Sequence, residues 1–192
     1  MCSFTRFFRV FVLAMVLTGL FAGAAVAAEG VVKGWFKAGS DPSGYIIGTE
    51  KIEGQTVAYI KAVEPEAKKF GTLMQSFLPD QYIGQRVRMS ARVKNNDVQG
   101  WAGMWLRVDA DGKSVSFDNM KERKIVGTKD WHECFIVLDV PAEADNMAMG
   151  MILSGKGEVY WDNLKIEEVG KEVPLTGIMN VKSGPSNLSF ED

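Results

Sequence analysis

Strict alternation of apolar and polar side chains is the feature that most limits the fold of this chain. It occurs in the stretches RVRMSARVK (86–94) and WAGMWLRVD (101–109). A period of two places successive side chains on opposite faces of a β-strand. One face of these two strands then carries the apolar side chains of Val87, Met89, Ala91 and Val93, and of Ala102, Met104, Leu106 and Val108. Helical periodicity is nowhere sustained.

Several further short apolar runs are bounded by Gly, Asn, Asp or Pro, which are typical turn residues. They are TVAYIKAV, FGTLMQSFL, CFIVLDV, NMAMGMILSG and GEVYWDNLKIEEV. Many short strands at this spacing are typical of two-layered antiparallel proteins. The sequence therefore predicts an all-β fold, an antiparallel β-sandwich of jelly-roll type.

The stretch 130–166 resembles the closing half of galactose-binding-like jelly-roll modules, which include carbohydrate-binding modules and accessory domains of secreted hydrolases. The shared residues are Asp130-Trp131 before an apolar strand, Val140-Pro141 after it, a glycine turn at Gly155 to Gly157, and Trp161-Asp162-Asn163-Leu164. Tyr82 and Gly84 resemble the Tyr-x-Gly entry to the central strand of such modules. The resemblance covers roughly residues 31 to 168 and implies a jelly roll that binds sugars.

The first residues suggest a targeting segment. Arg6 and Arg9 precede an apolar run that ends in Ala25-Val26-Ala27, a pattern typical of a cleaved signal peptide. A permanent membrane anchor is the alternative. We predict a signal peptide over 1–28, an extracytoplasmic (periplasmic or secreted) protein, and no membrane span after cleavage.

The rest of the chain is predicted to form a β-sandwich over 29–170 and a tail over 171–192. The tail ends in NLSFED, a motif that such modules usually carry at their beginning. It either returns as an edge strand of the sheet or begins a second module.

Without residues 1–28 the chain has 20 basic and 24 acidic residues, a formal charge of −4. Nucleic acid is therefore an unsuitable partner, because its binding relies on basic side chains at phosphates.

The candidate binding residues lie opposite the apolar face. Period two points Trp101, Trp105 and Arg107 outward, and it does the same for Arg88 and Arg92 of the preceding strand. NNDVQG (95–100) is predicted to turn the chain and join the two strands as neighbours, so that all five side chains share one aromatic and cationic surface. Tryptophan can stack on sugar rings and arginine can bind carboxylate, sulfate or phosphate groups. In the alternative, the long connection 116–131 covers this face and the indoles are structural.

Catalysis has little support in the sequence. His132 is the only histidine, and no nucleophile elbow, metal-binding cluster or phosphate loop accompanies it. DADGKS (109–114) fits a hairpin better than a calcium loop, because Lys113 stands at a ligand position. The resemblance implies a structural calcium near Asp162 and Asn163, although a capped strand end explains the same pair. We predict no enzyme, cofactor or bound metal.

These observations predict a secreted or periplasmic, non-catalytic module that binds a carbohydrate or another polar envelope polymer, with anionic oligosaccharides favoured. The alternative is a protein-protein assembly module of the cell envelope, since aromatic and arginine side chains are also typical of protein interfaces. A hydrolase acting through His132 is a third hypothesis. Cys134 lies in an apolar run and is predicted to be a buried, inert thiol.

Overall fold

The computed structural model describes residues 32–63 and 69–177. Within these ranges the chain forms eight β-strands and no α-helix; the only helical elements there are single 3₁₀ turns at Pro42–Gly44, Asp80–Tyr82 and Lys121–Arg123. The strands are β1 (Phe36–Gly39), β2 (Tyr45–Ile52), β3 (Gln55–Ala62), β4 (Phe70–Phe77), β5 (Arg86–Ala110), β6 (Lys113–Asp118), β7 (Ile125–Asp139) and β8 (Asn146–Val169). The predicted signal peptide and NLSFED lie outside the described residues.

Two long strands, β5 and β8, run antiparallel to each other through both layers of the molecule. In the layer called layer A, the strand order is β6, β5, β8, β4, β1. In layer B it is β7, β5, β8, β3, β2. All of these pairings are antiparallel. The predicted all-β antiparallel sandwich of jelly-roll type is confirmed.

β5 and β8 pass from one layer to the other at matching irregularities. The register of β5 against β8 shifts between Asn96 and Gln99, where Asp97 has a φ of 46°. Opposite it, Gly155 and Gly157 of β8 have φ values of 87° and 104°. A bulge and left-handed residues increase strand twist locally, so the paired strands bend together.

The predicted alternation is confirmed in both stretches. The inward side chains from Val87 to Val93 and from Ala102 to Val108 are at most 2% exposed and belong to one hydrophobic core. Met147, Met149 and Met151 join that core from β8. Cys134 is also buried there, as predicted, and burial raises the pKa of its thiol to about 11. A thiol held protonated at neutral pH is a poor nucleophile.

The prediction that NNDVQG reverses the chain is wrong. Residues before and after it pair in order with the same neighbouring strand, Asn95 with Val159 and Gly100 with Gly155. The chain therefore continues in one direction and changes layers, with a bulge in place of a hairpin. Since both halves of β5 point their apolar side chains into one core, their outer faces lie on opposite sides of the sandwich.

Residues 171–177 follow β8 and lie against the sandwich. Arg86 binds this segment, because its Nη1 donates hydrogen bonds to the carbonyl oxygens of Lys171 at 2.6 Å and Val173 at 2.7 Å. Its Nε and Nη2 donate to the two carboxylate oxygens of Asp139, at 2.9 and 3.0 Å. The hydrogen bonds from Arg86 lower the pKa of Asp139, although partial burial opposes this.

Arg86→Met should lower the free energy of unfolding at pH 7 by about 1–2 kcal/mol, because these bonds are lost while Asp139 keeps partial access to water. The folded-state pKa of Asp139 lies below its unfolded value of about 3.9. The pair therefore stabilises the fold fully above the unfolded value and loses its effect as pH falls through the folded value. Urea unfolding of both proteins at pH 7 and pH 2.5 should show the difference shrinking in acid. An equal difference at both pH values would contradict this role.

Candidate functional site

Trp105 lies on the outer face of layer A but is only 7% exposed. Its indole Nε1 donates a hydrogen bond of 2.9 Å to Thr72 Oγ1 on β4, and it packs with Ala148 and Ile152. The ring can lie flat across β8 because its cross-strand partner is Gly150, where a Cβ would come within 2.8 Å of Nε1. The prediction that Trp105 is an open stacking platform is wrong, and the residue contributes to packing.

Trp101 and Arg107 share this outer face, as alternation predicted. Trp101 is half-buried and packs at the edge of the Trp105 cluster with Phe70 and Met74. Arg107 pairs with Asp109, its Nε lying 2.9 Å from Oδ1. The positive charge of Arg107 is thus balanced within its own strand.

Arg88 and Arg92 lie on the outer face of layer B, away from the two tryptophans. Arg92 donates two hydrogen bonds to Asp162, at 2.7 and 3.0 Å, and its guanidinium stacks 4.7 Å from the ring centre of Trp131. Arg88 pairs with Glu133 at 2.7 Å. The prediction of one shared surface is wrong, because the bend in β5 sends its two halves to opposite layers.

A different site lies where the two layers separate. β3 pairs with β8 only from Glu158 to Trp161, so no strand of layer B covers the following part of β8 on that side. A cavity of about 450 Å³ opens between this part of β8 and β4 of layer A. We call it the Trp35 cleft; its walls are Trp35, Gln75, Phe77, Gln81, Tyr82, Met149, Leu164, Lys165 and Ile166.

Local structure explains how Trp35 reaches the cleft. Gly34, with a φ of 81°, closes a tight turn in which the Trp35 N–H donates to the Val32 carbonyl at 2.9 Å. β1 then starts at Phe36, whose side chain points outward and is 49% exposed, so Trp35 points the opposite way. The turn therefore directs the indole between the layers.

The cleft combines aromatic and neutral polar groups. Phe77 and Tyr82 meet edge to face with ring centres 6.3 Å apart, and Trp35 provides a third ring. Gln75 and Gln81 supply amide donors and acceptors. Lys165 is the one formally charged lining residue, and no carboxylate or histidine belongs to the lining set. The cleft is thus suited to a neutral ligand with an apolar face and hydroxyl groups.

Sequence reasoning missed this site because its residues come from four separate segments. The sequence predicted strands that contain Phe77, Leu164 and Ile166, but it did not indicate where the two layers separate. Two signals were present: Gly34-Trp35 at the beginning of the sandwich, and the pair Gln75 and Gln81 around an aromatic turn. Neither signal has meaning until the cross-strand pairing of β8 is known.

The sequence offered two further candidates for chemistry, His132 and the DADGKS stretch. His132 is half-buried, and its Nδ1 lies 2.9 Å from the carbonyl oxygen of Asp130. Asp111 and Gly112, both with positive φ, form the β5–β6 hairpin, which confirms a turn for DADGKS. Over 32–63 and 69–177, no three His, Cys, Asp or Glu side chains are grouped so as to hold a metal ion. In the same ranges no helix is long and apolar enough to span a bilayer.

Comparison with known proteins identifies one informative relative. No protein-family model matches the chain. The chain is 38% identical over 172 residues to the uncharacterised HTH-type transcriptional regulator YbfP of Bacillus subtilis (strain 168). The alignment covers 85% of this chain and 58% of the regulator, so the chain spans less than two thirds of the relative's length.

Solved structures share the fold at low sequence identity. The enzymatically active domain of tailspike protein 4 from bacteriophage CBA120 is 15% identical with a TM-score of 0.53, covering 71% of this chain and 20% of that one. The CBM22-1–GH10 modules of Clostridium thermocellum xylanase Xyn10B, complexed with xylohexaose, are 15% identical with a TM-score of 0.50, covering 71% and 26%. Carbohydrate-binding modules are therefore among the proteins that share this β-sandwich, while enzymes also carry it.

The relative overturns three predictions made from the sequence. A secreted or periplasmic binding module, its alternative of an envelope assembly module, and the extracytoplasmic location all conflict with similarity to a transcriptional regulator. The apolar N-terminal run and its small residues led to these predictions, and that segment lies outside the described residues. The chain is instead similar, over most of its length, to part of a regulator.

Proposed function

We propose that this chain is a ligand-sensing β-sandwich, related to part of a transcriptional regulator, that binds a small neutral saccharide in the Trp35 cleft. We assign its jelly roll to the galactose-binding-like type. The observation that carries the proposal is the cleft itself, at about 450 Å³ and lined by three aromatic rings and two glutamines. Ligand pockets usually measure about 300–1,000 Å³ and combine apolar walls with a few placed polar groups.

The lining chemistry favours a saccharide over other small molecules. A sugar ring presents C–H groups on its faces, which pack on Trp35, Phe77 or Tyr82, and hydroxyl groups at its rim. Gln75 and Gln81 can each donate to and accept from such hydroxyls. Because a single lysine supplies the only formal charge of the lining, an anionic ligand would lack the arginine pairs that usually bind carboxylate or phosphate.

A sensing role suits the described residues better than a DNA-reading role. A helix-turn-helix places a recognition helix in the major groove, and residues 32–63 and 69–177 contain no α-helix. The formal charge of the whole chain is −2, which opposes binding to phosphate backbones. We propose that the described sandwich receives the signal, and that DNA reading in the relative belongs to the part without a counterpart here.

We also propose that the chain binds its ligand without chemical conversion. The two titratable side chains in the cleft lining are those of Tyr82 and Lys165. Most glycoside hydrolases use two carboxyl groups that flank the scissile bond, and the lining supplies neither. His132 belongs to β7 and does not line the cleft.

Isothermal titration with glucose, galactose and xylose should show binding with a Kd of about 1 mM. A single ring has about 12 heavy atoms, and about 0.3 kcal/mol per atom gives about 4 kcal/mol. Trp35→Ala should weaken binding at least ~10-fold through loss of ring contact. Gln75→Leu, which keeps the side-chain volume, should weaken it about 5-fold through loss of hydrogen bonds.

Trp131→Ala is the matched control, because Trp131 stacks on Arg92 at the outer face of layer B. It should bind each sugar as the wild-type protein does. The thermal midpoint of each variant separates loss of binding from loss of folding. Failure of all three sugars to bind, or normal binding by both cleft variants, would overturn the proposal.

A further inference from the structure

A second cavity of about 270 Å³ adjoins the Trp35 cleft. Trp35 and Leu164 line both spaces, so the indole separates them. Its far wall is the end of the β2–β3 hairpin, and its floor includes Leu73 and Trp161 of the core. A volume slightly below the usual lower limit of about 300 Å³ suits an extension of a ligand better than an independent one.

The inner face of the β2–β3 hairpin changes character at this cavity. Ile47 and Ile60 point inward and are buried in the core. Thr49 and Thr56 follow on the same inward-facing rows, yet both are exposed to solvent. Period two would place apolar residues there if the layers stayed in contact. The hydroxyl groups therefore face a solvent-accessible gap between the layers, where a ligand can reach them.

Thr49 and Thr56 supply the polar groups that point into the second cavity from between the layers. Asp162 also borders this cavity, but its carboxylate accepts two hydrogen bonds from Arg92 on the outer face of layer B and points away from it. A threonine hydroxyl both donates and accepts hydrogen bonds, so the two threonines can pair with neighbouring hydroxyls of a sugar ring.

We propose that the second cavity is a subsite for the second ring of a disaccharide whose first ring occupies the Trp35 cleft. This inference rests on the proposed function. The hydroxyl groups of Thr49 and Thr56 form hydrogen bonds with hydroxyls of the second ring. The Trp35 indole lies at the junction, where it packs against the ligand between its two rings.

The test compares single sugars with their 1,4-linked pairs by isothermal titration: glucose with cellobiose, xylose with xylobiose, and galactose with β-1,4-galactobiose. For at least one pair, the disaccharide should bind about 10-fold or more tightly than its single sugar. Thr56→Val, at an exposed position, should remove most of that advantage and leave the single sugar unaffected. Gln81→Leu, in the first cavity, should weaken both to the same degree.

Thr49→Val provides a second variant, since it keeps the shape of the side chain while replacing its hydroxyl group with a methyl group. It should reduce the disaccharide advantage about 3-fold or more. Single-sugar binding without any disaccharide advantage would overturn this inference and leave the cleft proposal standing. An advantage that survives in both Thr56→Val and Thr49→Val would also overturn it. Absence of binding by every probe would overturn both proposals.

Discussion

Trp105→Ala should lower the free energy of unfolding by about 3–5 kcal/mol, the usual cost of removing a buried tryptophan. The ring is only 7% exposed, and it fills the space above Gly150 between β5 and β4. Alanine would leave a cavity that the rigid sheet cannot close. Urea unfolding followed by circular dichroism measures the change, and the variant should show a lower midpoint with an unchanged slope.

Two control variants separate the sources of this effect. Trp105→Phe keeps most of the apolar contact but loses the bond from Nε1 to Thr72, so about 1–2 kcal/mol should be lost. Trp101→Ala removes a half-buried ring and should cost less than Trp105→Ala. A loss below about 1 kcal/mol for Trp105→Ala would contradict the packing role and restore the open platform that the sequence suggested.

Alternation predicted the direction of each side chain in β5 but not what surrounds it. The inward residues, such as Met104 and Leu106, are buried as expected. Trp105 points outward as expected too, but its burial depends on Thr72 and Gly150, which neighbouring strands bring to it. A period of two contains no information about those strands.

The path of the chain through NNDVQG was the second feature that the sequence did not predict correctly. NNDVQG has the composition of a turn, and a turn was predicted there. Asparagine, aspartate and glycine also form bulges, because all three tolerate positive φ. Only pairing with β8 distinguishes the two outcomes, and that choice decides whether Arg92 and Trp101 share a face.

The candidate site was beyond sequence reasoning for the same reason. Trp35, Gln75 and Tyr82 meet because β3 leaves β8 after a few residues and the layers part. Asn163, with a φ of 52°, lies just past that point, and a left-handed residue interrupts regular pairing. Fold class follows from local pattern, whereas a cleft follows from where strand pairing ends.

Gly155→Ala should destabilise the protein by about 3 kcal/mol or more, because it affects the bend that both layers share. Gly155 has a φ of 87°, and a Cβ built on it would lie 2.3 Å from the carbonyl oxygen of Gln99. Backbone on the partner strand must therefore move. The same glycine N–H donates to the buried Tyr45 hydroxyl at 3.1 Å, so the movement would disturb a second anchor of the bend.

Gly112→Ala is the matched control for backbone strain alone. Gly112 also has a positive φ, 69°, but a Cβ there meets no atom within 4 Å. Its replacement should cost only about 1 kcal/mol, the price of a left-handed non-glycine residue. The difference between the urea midpoints of the two variants then measures the effect of the contact with Gln99, because the backbone strain is common to both. Equal losses of unfolding free energy in the two variants would show that β8 can bend between the layers without a glycine at position 155. The close approach of β5 and β8 would then no longer explain how these two strands contribute to both layers.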